Sequence, residues 1–504
     1  STQNAINYLL IFTLYLVFNV SYAQTPRIYD TPVYPKGDNL PSQMPDRIII
    51  NASEDATSKV RISWRTDTTI HKAFLEMALA DDAPKFWRNA KTLEATTTVW
   101  DATNVKLSKL KAHFHNIELD QLVAGQMYIY RVGDGKYWSE WFQFKTIQNS
   151  RSMKILFIGD VQNNILDIGS RLVRQAYQHH GNSDLILYSG DLVNYAHKDT
   201  DWDEWFKMGS FIHSTIPSVM TPGNHEYNPA TEEDEKANIR KLSVQWRAQF
   251  ALPQNGPEGL EETSYFIDYP LVRLICLNTN IEGEAQIQWL HKTLANHNKK
   301  WTIVFFHHPV FPTVIGRTDT KVGETLIPIF EKYKVDLVLT GHDHAYSRGI
   351  SKTSELPVYV VSVSGAKMYN VNKGWETFGG IRQRVGENTQ LYQTIDVDHK
   401  SLNFMSYTVS GQVYDHFKID KNKKKPKFID LAKNIPSKLH TNTTHYYDQL
   451  PKVIESAVLM KHEGYSINRV VVVKKNDTVQ YQVRLRKENS KDVDLVLDVN
   501  GNEI

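Results

Sequence analysis

The chain has 504 residues, enough for about two to four domains. Lys+Arg number 58 against 56 Asp+Glu, a net charge of +2. That balance excludes a global basic field, so no nucleic-acid polymer is expected as a partner. Hydrophobic residues at 41% and charged residues at 23% are ordinary for globular chains, which leaves local sites to carry the function.

In chain order, "INYLLIFTLYLVFNVSYA" is apolar and ends in small residues before Gln24. Residues 1–23 therefore read as an export signal cut after Ala23. The run also approaches the length of a membrane span, so an uncleaved anchor is the alternative. Cleavage implies a periplasmic or secreted protein with no stable membrane insertion. The single cysteine, Cys276, permits no internal disulfide and reads as a buried strand residue. Residues 24–44 are rich in Pro, Gly and Asp and read as linker.

From 45 to 148 the pattern is short β-type runs between polar turns, with alternation at Val60, Ile62, Trp64 and at Tyr128, Tyr130, Val132. This predicts a β-sandwich of about one hundred residues. At Met153 the pattern changes. "MKILFIGD" and "SDLILYSGD" are continuous apolar runs, as expected of strands buried on both faces. Helical patterns intervene at "DIGSRLVRQAYQHH" and "EAQIQWLHKTLANH", which predicts an α/β domain over 151–420. "KNKKKPK" opens a basic linker, 421–436, read as a solvated hinge. Residues 437–504 then predict a small α+β module of one helix and three strands. The fold class is thus multidomain: β-sandwich, α/β domain, α+β module.

The strong strands of the middle domain end in residues able to bind metal. They are Gly159-Asp160, Gly190-Asp191, Gly223-Asn224-His225, His307-His308-Pro309 and Gly341-His342-Asp343-His344. Carboxyl ends of strands in an α/β sheet converge on one crevice. Two carboxylates gathered there without compensation resist ionisation together. A pair of cations removes the conflict, and oxygen and imidazole donors without thiolate suit Fe, Zn or Mn.

The series "GDVQ…GDLVNY…GNHE…HHP…GHDH" resembles the calcineurin-like metallophosphoesterases. With the sandwich in front, residues 45–420 look most like the purple acid phosphatase branch, whose N-terminal domain is fibronectin-III-like. The last module, through its "LP" helix start, "YQVRL" and "DVNG", resembles PepSY-like modules. The first resemblance implies a two-sheet catalytic domain and two metal ions, Fe, Zn or Mn. Asp160 and His344 would bind the first ion, Asp191 would bridge, and Asn224, His307 and His342 would bind the second. His225 would be the general acid. His307 is preferred over His308 because the family's ligand is the first histidine of the pair. His308 and Arg317 are candidates to contact substrate.

The sequence departs from that branch in one respect. The family's tyrosinate ligand stands three residues after the second aspartate, where this chain has Asn194, and Tyr195 follows one position late. A one-residue slide turns a strand-like side chain to the other face, so Tyr195 is expected to point away. The related histidine two residues after the first aspartate is replaced by Gln162. Gln162 and Asn194 are therefore candidates for an additional ligand or a supporting contact, at a colourless centre with a looser first ion. The resemblance implies an exported phosphomonoesterase of acid phosphatase type, acting on a small phosphorylated substrate by attack of a metal-bound hydroxide on phosphorus. A phosphodiesterase or nucleotide hydrolase on the same site is the alternative. A non-catalytic binding or surface protein is the third. Trp202 and Trp205 read either as stacking residues or as core.

Overall fold

A computed structural model describes residues 31–148, 151–313, 320–369, 371, 374–438, 444–447, 450, 452–463, 465–475, 478–487 and 490–504. The expected export signal at 1–23 and Arg317 lie outside the described residues. The chain divides into two units, 33–440 and a second containing 441–504.

Two large sheets organise the first unit. In one, strands Ser152–Ile158, Leu185–Tyr188 and Ser218–Met220 run parallel in that order. The other places Val272–Cys276, Trp301–Phe305, Leu337–Thr340 and Val358–Val361 side by side, also parallel. The apolar runs explain this arrangement. Leu185–Tyr188, Trp301–Phe305 and Leu337–Thr340 are buried along their whole length, which suits strands covered on both faces. Between the sheets lies one core containing Phe157, Leu187, Val219, Cys276, Phe305 and Leu339. Helix Glu284–Ala295 covers the outer side of the second sheet through Leu290 and Leu294. Trp202 and Trp205, on helix Asp199–Gly209, are fully buried in the core, which removes them as stacking residues.

The sandwich expected at 45–148 is present. Its second layer is Phe74–Leu79, Lys91–Glu94, Met127–Gly133 and Phe142–Lys145. Its first layer is not a separate sheet. Strand Asp46–Ala52 pairs parallel with Ser218–Met220 at Asn51 and Ser218, so eleven strands form one continuous sheet. A buried ion cluster fastens the junction. Arg47 donates both guanidinium arms to Asp199 at 3.0 and 2.8 Å, and Arg65 reaches the same carboxylate at 3.3 Å.

Three sequence expectations are corrected. Of the stretch read as linker, 24–44, the described part 31–44 is docked at Asn39, whose amide donates to Asp199 at 2.9 Å. The basic hinge contains strand Lys427–Asp430, which pairs with Val413–Asp420 and extends the large sheet beyond residue 420. It lies at the edge of that sheet, where its charged ends, Lys427 and Asp430, blunt further pairing. The C-terminal unit has four strands rather than three, because Thr444–Tyr447 precedes helix Lys452–Lys461 and pairs with Ser466–Lys475.

Candidate metal centre

The two sheets meet at the carboxyl ends of their parallel strands. An isolated parallel bridge joins Asp160 to Val363, and the Asp160 carbonyl accepts from the N–H groups of Ser364 and Gly365 at 3.1 and 2.7 Å. This closure brings the five strand ends onto one edge.

Four donor atoms from both sheets surround one point. His307 Nε2 lies 3.2 Å from Asp191 Oδ2 and 3.0 Å from Asn224 Oδ1. His342 Nδ1 lies 2.9 Å from the same Asn224 oxygen and 3.2 Å from His307 Nε2. Protons on the ring nitrogens can make hydrogen bonds of at most two of the three contacts among His307, His342 and Asn224. A cation with ligand distances near 2.0–2.2 Å accommodates all of them together. His307 Nδ1–H donates to the Ser189 carbonyl at 2.9 Å, which turns the Nε2 lone pair toward Asp191 and Asn224. Asp160, Asp191 and His344 form an adjoining group, their ligand atoms within 4.8 Å of one another.

The local backbone is shaped for this gathering. Asp191 and His342 both sit at positive φ, +48° and +70°, an uncommon conformation for residues with a side chain and one that clusters at functional sites. A Cβ on Gly341 would fall 2.0 Å from Asp160 Oδ1, and one on Gly223 would fall 2.2 Å from Asp191 Oδ1. Glycine at both places lets the backbone press against the carboxylates. Glu226, fully buried, ties the loops together. Its two oxygens accept from the N–H groups of Asp191 (2.9 Å), Leu192 (2.9 Å), Val193 (3.3 Å) and Gly223 (2.6 Å).

The electrostatics call for positive charge. Burial drives the Asp160 carboxyl well above its usual range, against the pull of His307. Burial also presses Asp191 upward, but His307 and His225 outweigh it and hold the carboxyl well below its usual range. Burial pushes the His307 imidazole down, while Asp191 and Asp160 raise it to about 9. A proton on His307 thus meets part of the demand of two buried carboxylates, and a pair of cations would meet it with the imidazole neutral. The donor set, the glycine cradle and this charge demand all fit metal ions.

The remaining candidates fall out as follows. His225 Nδ1 donates to the Asn194 carbonyl at 2.6 Å, which leaves Nε2 facing the site. Gln162 is fully buried among these groups. Its hydrogen-bond partners set the amide with the NH2 donating to Asp191 Oδ2 at 2.7 Å and the carbonyl accepting from His225 Nε2 at 3.3 Å and Lys367 Nζ at 3.0 Å. The amide oxygen is therefore occupied by donors. Asn194 supports His225 through its backbone, and its buried Oδ1 has no hydrogen-bond partner among the described residues. Tyr195 is 50% exposed and turned outward, with its N–H on Asp201. His308 groups with His307 and His342, their ligand atoms within 4.8 Å of one another, its ring 4.6 Å from that of His342 and its Nδ1 held by Thr279 Oγ1 at 2.8 Å. Sequence reasoning missed Glu226 and Lys367. Glu226 was legible only as the residue after His225. Lys367 follows "PVYVVSVSG", one more strand ending in glycine, and the strand-end rule extended to it would have found it.

An edge where two packed α/β sheets present carboxylate, amide and imidazole donors from five strand ends defines a metal-dependent phosphoesterase architecture. Residues 153–346 match the calcineurin-like phosphoesterase model, and residues 45–146 match that of the purple acid phosphatase N-terminal domain. The chain carries a calcineurin-like metallophosphoesterase domain behind a purple acid phosphatase N-terminal domain. It is 26% identical to human acid phosphatase type 7 over 47% of this chain and 57% of that protein. It thus spans little more than half the length of that relative. It is 24% identical to Arabidopsis thaliana Fe(3+)-Zn(2+) purple acid phosphatase 12 over 68% of this chain and 74% of the other. Purple acid phosphatase PPD1 from yellow lupin shares the fold, with a TM-score of 0.62 at 20% identity over 76% of this chain and 75% of that one.

Proposed function

We propose that the chain is a two-ion phosphomonoesterase acting on a small phosphorylated substrate. The observation that carries this reading is the convergence of Asp160, Asp191, Asn224, His307, His342 and His344 on one edge. Asp191, Asn224, His307 and His342 would hold one ion; Asp160 and His344, with Asp191 as bridge, would hold the other. When bound, such a pair neutralises charge growing on the phosphoryl oxygens and brings the pKa of water to roughly 7.

The chain's own residues supply the rest. His225, fixed by the Asn194 carbonyl, presents Nε2 as the atom from which a proton passes to the departing alkoxide. Gln162 holds that nitrogen and the Asp191 carboxylate in register through one amide. His308, with Nδ1 taken by Thr279, offers Nε2–H to a substrate oxygen. The apolar stretch before Gln24 supports export, and N-terminal sequencing of the mature protein should begin at Gln24. Among the described residues no helix is long and apolar enough to cross a membrane.

The test is hydrolysis of p-nitrophenyl phosphate and of bis(p-nitrophenyl) phosphate by the ion-loaded protein, paired with elemental analysis. Monoester turnover exceeding diester turnover, lost in Asp191→Asn together with bound ions, is expected. Faster diester turnover favours the phosphodiesterase alternative. Absence of both ions and turnover leaves the binding-protein reading.

A further inference from the structure

Lys367 is 4% exposed, buried beside one of the two donor groups. Its Nζ lies 3.0 Å from the Gln162 carbonyl oxygen, and the nitrogen of the same amide lies 2.7 Å from Asp191 Oδ2. A single side-chain amide thus separates the ammonium from the carboxylate shared by both groups. The ammonium also pulls downward on the Asp160 carboxyl.

The segment carrying Lys367 is stitched to the Asp160–His344 side. Ser364 and Gly365 donate to the Asp160 carbonyl, and the Tyr369 N–H donates to the His344 carbonyl at 2.8 Å. The Tyr369 ring meets the His344 ring edge-on at 4.8 Å, with Lys367 Nζ 5.6 Å from its centroid. These anchors fix the backbone that carries the lysine, and the Gln162 carbonyl holds its buried ammonium. On the other side, Asp191, Asn224, His307 and His342 form a compact donor cluster with edges of 2.9 to 3.2 Å.

We propose that Lys367 makes the two ion positions unequal. The position built by Asp191, Asn224, His307 and His342 binds tightly. The position built by Asp160, Asp191 and His344 binds weakly, exchanges, and takes a divalent rather than a trivalent ion. The cause is repulsion between a fixed ammonium and the incoming cation, which grows with the ion's charge. Between charges a few ångströms apart inside a protein this repulsion weakens affinity by at least about tenfold. This inference rests on the two-ion reading.

Calorimetric titration of stripped protein with Mn2+, with inductively coupled plasma analysis after dialysis, tests it. Wild type should show two events at least tenfold apart and retain one ion on dialysis. Lys367→Met should tighten the weak event at least tenfold, tighten the other by less, and retain two ions. Lys367→Arg should keep the gap, and His344→Ala should remove only the weak event. Lys367→Gln serves if the methionine variant does not melt cooperatively. Two equal events in wild type, or an unchanged gap in both neutral variants, overturns the proposal while leaving the phosphatase reading intact. No ion bound by wild type overturns both.

Discussion

Glu226→Gln should destabilise the catalytic edge more than its small chemical change suggests. In the wild type, each carboxylate oxygen accepts from two backbone N–H groups, Leu192 and Val193 on one side, Asp191 and Gly223 on the other. Glutamine keeps one accepting oxygen. Its NH2 would face two of the four donors, leaving those buried N–H groups without an acceptor. Each such orphan costs about 1–3 kcal/mol, so the loss should be about 4 kcal/mol. The effect is local to the Asp191 turn, whose positive φ those bonds hold, so ion binding should weaken as well. Urea denaturation followed by tryptophan fluorescence reads the first quantity, because Trp202, Trp205, Trp246 and Trp301 are all fully buried. Elemental analysis reads the second. A variant within about 1 kcal/mol of wild type that keeps its full ion complement would refute the reasoning.

His225→Ala should lower phosphomonoester turnover by about 10²–10⁴ with bound ions retained; loss of an ion would move His225 from proton donor to ligand. Gly341→Ala should drive a methyl group against Asp160, since a Cβ there would lie 2.0 Å from Oδ1, and the weaker of the two events in a Mn2+ titration, assigned to Asp160 and His344, should be lost. An unchanged weak event in that variant would defeat the cradle argument. Stability against pH should separate stripped from loaded protein. With burial opposing and Asp191 and Asp160 raising it, His307 sits at about 9 rather than 6.5, so its contribution is complete below pH 6.5 and lost as pH rises through 9. Stripped protein should lose about 3 kcal/mol from His307 alone over that interval, seen as a falling melting temperature, while loaded protein, with cations in place of protons, should change much less. A flat profile for the stripped protein would contradict the charge account.

The sequence by itself determined where the chain is buried and which residues end its strands. The runs before Asp160, Asp191, His307 and His342 are apolar without alternation, and only strands covered on both faces tolerate that pattern. It also marked the slide that put Asn194 where a tyrosine ligand would stand, and Tyr195 is indeed turned to solvent. Tertiary structure alone decided the contacts. His342 Nδ1 meets Asn224 Oδ1 across 118 residues, and His307 Nδ1 meets the Ser189 carbonyl across another 118. Lys367 reaches Gln162 from the loop after a different strand, and Lys427–Asp430 joins a sheet that its basic composition disguised. Periodicity records the solvent each residue faces. Which atoms then meet depends on sheet register and on the closure of one sheet end against the other, and neither leaves a local trace in the order of residues.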